Sequence, residues 1–334
     1  MVLENEEGIM KGENQYIIHL ATQSSNDNFV KNPSVLNDII GQDDARKKLS
    51  FFVASHSPTT PIPTLLFTGS QGLGKSYMAN KIAIATGREM VEVNCGTINT
   101  SKDFVEKIIF GKVLGNTPKT ILLDEAHKLS PEVTTLLLTL LNPNERNVNL
   151  VSYSNLLIEY DFRKLNTILA TTDAYKIFKP LLNRCVEVYF QLYSNDELYR
   201  ILEHYLPDIT ISCDKEDLAY ACRGRARDAF ILSQNIKRYC LMEGIRTFDE
   251  AGWQNIKSIF NIHTYGLNTQ EIKLMTEIQN GGPISSGNIA IKMGVSIQNV
   301  ESELEIRARE LGFIENTQRG RILTDKGLAY LSLV

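Results

Sequence analysis

The 334 residues contain no apolar run of membrane-spanning length, and the opening MVLENEEGIMKGEN lacks the basic and apolar blocks of a secretory leader. A spanning or exported protein is not expected. Cysteine is sparse: Cys95, Cys185, Cys213, Cys222 and Cys240 are odd in number and form no C-x-x-C pair. That argues against a disulfide framework and suits small core residues in a reducing, cytoplasmic setting. Basic excess is missing too. With a formal charge of −4, no global field draws the chain to nucleic acid or an anionic membrane, so any such contact rests on a local basic patch. Internal repeats and long low-complexity tracts are absent. What is present is a 43% hydrophobic fraction, enough for a large core in a soluble chain of two or three domains.

The chemistry concentrates between Thr64 and Ala85, TLLFTGSQGLGKSYMANKIAIA. Leu65, Leu66 and Phe67 read as a buried strand, Gly69 to Ser76 completes G-x-x-x-x-G-K-[ST], and a helical pattern follows. This is a P-loop in its strand-to-helix setting. Glycines let backbone N–H groups wrap a phosphate chain, and the start of the helix adds its positive end. Lys75 is expected to reach the β- and γ-phosphates and the Ser76 hydroxyl to sit on Mg²⁺. Gly69, Gly72, Leu73, Gly74, Lys75, Ser76 and Tyr77 make up the expected cradle for ATP or ADP.

A second station is KTILLDEAHK, 119–128, an apolar run ending in two acids, the Walker B pattern. Asp124 is expected to order Mg²⁺ through its water shell, and Glu125 to polarise the attacking water. Either acid alone reads equally well as a cap or a solvated strand end. Its place downstream of a P-loop decides for catalysis.

Around these stations the chain alternates strand and helix. Residues 1–32 are polar and read as a mobile tail, with Tyr16, Ile17, Ile18 and Leu20 able to make one short docked strand. A helix is expected from Asp43 to Phe52, a strand from Met90 to Asn94, a short helix from Lys102 to Ile109, and a Ser130-capped helix with Pro131 in its first turn. Val148 to Tyr160 reads as a hairpin split at Ser154-Asn155, Asn166 to Thr172 as a buried strand with a hydroxyl tip, and Cys185 to Phe190 as a last strand. The result is an α/β doubly wound parallel sheet, whose ligands lie at the carboxyl ends of its strands. From Ser194 four helical patterns follow. From Leu267 come three more (270–279, 286–293 and 297–311), then two strand-like runs around Arg319-Gly320-Arg321 and a final helix, the pattern of a winged-helix module.

The order P-loop, DEAH, hairpin, ATT, NRC and helical lid is similar to an AAA+ ATPase. The set IIGQ (39–42), GSQGLGKS (69–76), LLDEAHKLSP (122–131), LATT (169–172), PLLNR (180–184), RGRARDA (223–229), GGPISSGNIA (281–290) and TQRGR (317–321) resembles the RuvB-type Holliday-junction branch-migration motor. The resemblance implies a large ATPase domain over 33–190, a helical lid over 191–262 and a winged-helix DNA-binding domain over 263–334. It also implies a homo-oligomeric ring, a hexamer. Thr171, with Thr172 beside it, falls at sensor 1; Arg184 at an arginine finger supplied to the neighbouring subunit; Arg227 at sensor 2, with Arg225 the near alternative. Ile39 and Ile40 flank the adenine. Alone, Arg184 reads also as a surface arginine paired locally.

For duplex or branched DNA the expected contacts are Arg319 and Arg321, with Thr317 nearby, on the wing; a solvated basic hairpin is the plain alternative. Glu301, Glu303 and Glu305 fall on what would be the recognition helix and argue against its entering a major groove. Two departures from the family stand out. Asn32, not arginine, precedes Pro33, and the hairpin 148–160, which in the family docks a RuvA-like junction-binding partner, is short; Val148, Leu150, Leu156 and Ile158 supply its apolar positions. Two further functions fit parts of the sequence: a clamp-loader-like remodeller of a protein partner, and a winged-helix assembly protein using ATP only as an oligomerisation switch.

Overall fold

The structure, a computed structural model, describes residues 9–12, 15–19, 32–57, 61–113, 118–141, 148–153, 156–161 and 165–333. For the strands before residue 20 and between 148 and 161 it describes backbone pairing. Contacts divide the chain into two compact units, Met1–Leu192 and Tyr193–Val334. The lid and the winged helix expected from sequence both fall in the second unit.

In the first unit the elements run β1 (Ile9–Gly12), β2 (Gln15–His19), α1 (Asp43–Ser55), β3 (Leu65–Thr68), α2 (Lys75–Ala85), β4 (Glu89–Asn94), α3 (Ser101–Phe104), β5 (Lys119–Asp124), α4 (Pro131–Leu140), β6 (Val148–Tyr153), β7 (Leu156–Asp161), β8 (Leu165–Thr171), α5 (Lys179–Leu182) and β9 (Val186–Tyr189). Five strands pair in parallel in the order β4-β5-β8-β3-β9. The inner strands β3, β5 and β8 are buried almost throughout, which is why they read as continuous apolar runs rather than alternating ones. Register lines up their carboxyl ends: Thr68 stands opposite Thr171 and Tyr189, and Asn94 opposite Asp124. The expected hydroxyl tip and the Walker B acid thus finish at one edge of the sheet.

Local chemistry explains the element boundaries. The Ser130 hydroxyl accepts from the Val133 N–H and Pro131 fills the first turn of α4. After α3 the chain continues as a π-helix through Val113, longer than the short helix expected there.

Two strands lie within the stretch expected to be a mobile tail. β1 and β2 form a hairpin, β2 pairs in parallel with β7, and a four-stranded sheet β1-β2-β7-β6 results. The hairpin 148–160 is therefore half of a larger sheet. The side chains of Val148, Leu150, Leu156 and Ile158 lie outside the described residues.

The second unit contains α6 (Asn195–Tyr205), β10 (Thr210–Ile211), α7 (Lys215–Ala221), α8 (Ala226–Glu243), β11 (Thr247–Phe248), α9 (Glu250–Phe260), α10 (Thr269–Gly281), α11 (Ser286–Met293), α12 (Ile297–Asn299), α13 (Ile306–Glu310), β12 (Ile314–Thr317), β13 (Gly320–Leu323) and α14 (Asp325–Leu331). Capping boxes Ser194/Glu197 and Asn268/Glu271 start α6 and α10. Trp253 is wholly buried in the lid and donates through its indole N–H to Asp217 at 2.8 Å. The helix expected over 297–311 is interrupted: between α12 and α13 a π turn spans Val300–Leu304.

A buried polar knot ties lid to winged helix. Arg307 donates from Nη2 to the carbonyl oxygens of Tyr220 (3.2 Å) and Tyr265 (3.0 Å), and Arg223 pairs with the buried Glu271. Gly266, φ 72°, packs so tightly on the Tyr220 carbonyl that no Cβ fits.

Candidate functional site

β3 hands the chain to a loop that turns through Gly69 (φ 142°), Gly72 (φ 81°) and Gly74 (φ 89°) before α2 begins. At Gly69 a Cβ would stand 2.5 Å from the Phe190 carbonyl oxygen, so glycine alone fits. No side chain caps α2. The N–H groups of its first turn are thereby left for an anion. Lys75 Nζ donates to the Gly69 and Ser70 carbonyl oxygens at 2.8 Å each, folding its charge over the loop. Leu73 is buried and can serve the cradle only through its backbone. Ser76 is half buried, and the exposed Tyr77 ring carries the Lys81 ammonium 5.3 Å from its centre. These features suit a phosphate chain, and one hydroxyl with one carboxylate, Ser76 and Asp124, suits Mg²⁺, which keeps water and phosphate oxygens for the rest of its shell. Among the described residues no group of three or more His, Cys, Asp or Glu forms a closed protein cage for a metal.

Ile39 is buried and Ile40 half buried in the loop before α1. That loop is pinned from two sides. Arg46 donates to the Ile39 carbonyl oxygen at 2.8 Å, and Gln42, in the left-handed region at φ 54°, clasps the backbone of Gln191 with both ends of its amide (2.7 and 3.0 Å). Neither residue was singled out by sequence reasoning. The signal was there in part: a long polar residue following Gly41 is a natural backbone clasp.

Asp124 ends β5 and Glu125 follows it. Glu125 sits at φ 55°, ψ 42°, a conformation that costs a side-chain-bearing residue about 1–2 kcal/mol. Its own N–H donates to Asp124 Oδ1 at 2.9 Å, which helps hold the turn. Thr171 is buried at the tip of β8; its hydroxyl oxygen accepts from the Asp173 N–H at 2.9 Å and lies 2.9 Å from His127 Nδ1. The other ring nitrogen of His127 stands 3.4 Å from Glu125 Oε2 and 3.7 Å from Asp173 Oδ2. Thus Thr171 and Glu125, predicted separately, are bridged by a histidine that sequence reasoning did not assign.

Arg184 follows α5. It donates to the Pro180 carbonyl oxygen at 2.8 Å, and its Nε is buried without a hydrogen-bond partner among the described residues. In the second unit Arg227 is exposed in the first turn of α8, whereas Arg225 is the N-cap and half buried.

On the wing the two arginines have different surroundings. Arg321 is not a free cation: its Nε donates to the buried Glu305 at 2.8 Å and its Nη2 to Glu301 at 3.1 Å, while Glu305 also pairs with Arg309 at 3.2 Å. Glu305 accordingly presents no charge to a groove. A lone basic turn was expected because the carboxylates lie 16 and 20 residues upstream. Arg319, by contrast, is exposed at the turn, and Thr317 closes it by donating to the Gly320 carbonyl oxygen at 2.8 Å.

Residues 65–192 match the family described as AAA, ATPase family associated with various cellular activities, and residues 264–332 match the RuvB C-terminal winged helix domain. The Holliday junction branch migration complex subunit RuvB of Thermosipho melanesiensis is 26% identical over 307 residues, 89% of this chain and 97% of that protein. The subunit of the same name from Orientia tsutsugamushi, Boryong strain, is 26% identical over 314 residues, 90% of this chain and 94% of its own. In fold, the Thermotoga maritima RuvB Holliday junction branch migration motor superposes with a TM-score of 0.73 at 23% identity, covering 89% of this chain and 96% of that one. No helix among the described residues is long and apolar enough to cross a membrane.

Proposed function

We propose, from the premise that this chain is a divergent RuvB-type member of the AAA ATPases, that it is an ATP-driven motor that moves duplex DNA at Holliday junctions in recombination and repair. The observation that carries this reading is the pairing, in one chain, of a P-loop ATPase domain with a RuvB-type winged helix, aligned over 89% of its length to a RuvB subunit. That pairing favours it over a clamp-loader-like remodeller. An intact Lys75, Asp124 and Glu125 favour it over a switch that binds ATP without hydrolysis.

Hydrolysis is an in-line attack of water on the γ-phosphate. Glu125 polarises the water, Lys75 and the loop N–H groups hold the phosphates, and Thr171 helps position the lytic water. Arg227 senses the γ-phosphate from the lid, and Arg184 of a neighbouring copy spreads transition-state charge. Ser76 and Asp124 would hold Mg²⁺, which would supply neutralising charge at the phosphates. Subunits form a hexameric ring in the cytoplasm, Arg319 and Thr317 lie along the DNA backbone, and the sheet carrying 148–160 docks a RuvA-like partner.

ATP turnover measured with and without branched DNA tests this. Wild type is expected to be stimulated by DNA, and Lys75→Ala to lose turnover altogether. ATP binding without any turnover in the unaltered protein would overturn the reading.

A further inference from the structure

Three groups meet where β5 and β8 end: the Glu125 carboxylate, the His127 ring and the Thr171 hydroxyl. His127 is almost enclosed, its side chain 10% exposed, and every partner of its ring is described. Nε2 faces two carboxylates, Glu125 at 3.4 Å and Asp173 at 3.7 Å, which favours a proton on that nitrogen. In the neutral ring Nδ1 is then the acceptor, and the group 2.9 Å away that can donate is the Thr171 hydroxyl. One of that hydroxyl's two lone pairs accepts from the Asp173 N–H. The Thr171 proton is therefore directed at His127 and away from the cradle. Lys128, 3.4 Å from Glu125 Oε2, and Lys176, 3.1 Å from Asp173 Oδ2, balance the two acids from outside.

We propose that His127 is a positioning residue for hydrolysis: fixed by Thr171 through Nδ1, it presents Nε2–H to Glu125 and so ties the water-polarising carboxylate to the tip of β8. The proposal rests on the reading of Glu125 as the group that polarises water. It changes what the sensor threonine does. In this arrangement the hydroxyl acts on the reaction through the imidazole, and a movement of β8 would turn the ring and release the carboxylate.

The full chain is assayed for kcat and, separately, for affinity toward a non-hydrolysable ATP analogue. His127→Ala is expected to lower kcat about 10- to 100-fold, the span of a lost orienting group, with analogue affinity changed less than about twofold. His127→Gln places an amide near the Nε2 position and is expected to recover part of kcat; His127→Asn places it near Nδ1 and is expected not to. Thr171→Val added to His127→Ala should cost little more than His127→Ala alone, because the two act in series. Independently of turnover, ¹⁵N spectra of the imidazoles should show His127 as a single Nε2–H tautomer that becomes mixed in Thr171→Val. A His127→Ala protein with wild-type kcat, equal losses in all three variants together with lost analogue affinity, or an Nδ1–H tautomer would each overturn the proposal. Failure of the function reading looks different: wild type and Lys75→Ala would then turn over equally little, while the tautomer spectrum still reports on His127.

Discussion

Cys95 shows what residue chemistry alone decides. Its thiol is buried where β4 ends, and burial, with the Asp124 and Glu125 charges adding to it, pushes its pKa up to about 12. Burial also raises Cys213 to about 12 and Cys185 to about 11. The sign follows from linkage: a thiol whose pKa is higher folded than unfolded favours the folded state fully below the unfolded value, roughly 8.5, and loses that contribution as pH rises toward the folded value. Urea midpoints should hold from about pH 7 to 8 and decline toward pH 10, with a shallower decline in Cys95→Ala. Rapid alkylation of Cys95 in the native protein at pH 8 would contradict this. That Cys95 and Cys213 are core residues, with Cys185 partly buried, was legible from spacing and number. His127 was not legible in the same way, since its partner Thr171 lies 44 residues on and becomes a neighbour only through strand register. Glu125, Lys75 and the glycines were legible because their spacing along the chain is itself the chemistry.

At the scale of elements, the wing is where local reading and tertiary packing part. Arg319 and Arg321 look alike in TQRGR, yet the turn leaves Arg319 exposed and β13 points Arg321 at the buried Glu305. Removing Arg321 leaves a desolvated carboxylate with Arg309 as its remaining partner, so Arg321→Ala is expected to destabilise the second unit by about 3 kcal/mol. The lone tryptophan, Trp253, gives an unfolding signal from that unit. Arg319→Ala should change stability by less than about 0.5 kcal/mol, weaken DNA binding, and reduce the slope of log affinity against log salt by about 1. The reverse pattern, a stable Arg321→Ala protein with weakened DNA binding, would restore the simpler view of two wing cations. The docked strand expected around Tyr16 to Leu20 is β2, but the π turn before Glu305 and the strand β1 were missed for a related reason: an apolar period marks a helix without its bulges, and a strand in a polar stretch is selected by the edge it joins, here β2.

For the whole molecule, most of the architecture could be read from the chain because inner strands, caps and glycine turns each carry a local signature. The joining of lid to winged helix could not. Arg307, Tyr220, Arg223 and Glu271 are separated by up to 87 residues, and only folding makes them one polar knot. An active site completed by a second copy is equally silent in the structure of one chain, and the proposed motor depends on it. Arg184, whose buried Nε has no hydrogen-bond partner among the described residues, is the group proposed for that task. The most direct test mixes two inactive proteins. Lys75→Ala lacks the cradle lysine and Arg184→Ala lacks the donated guanidinium, so each alone should fall by about a thousandfold or more. Combined in equal amounts and allowed to exchange subunits, they should regain about a quarter of wild-type turnover, the share of interfaces that pair an intact cradle with an intact arginine. Wild-type turnover by Arg184→Ala alone, or a mixture no more active than its two components, would contradict the shared site.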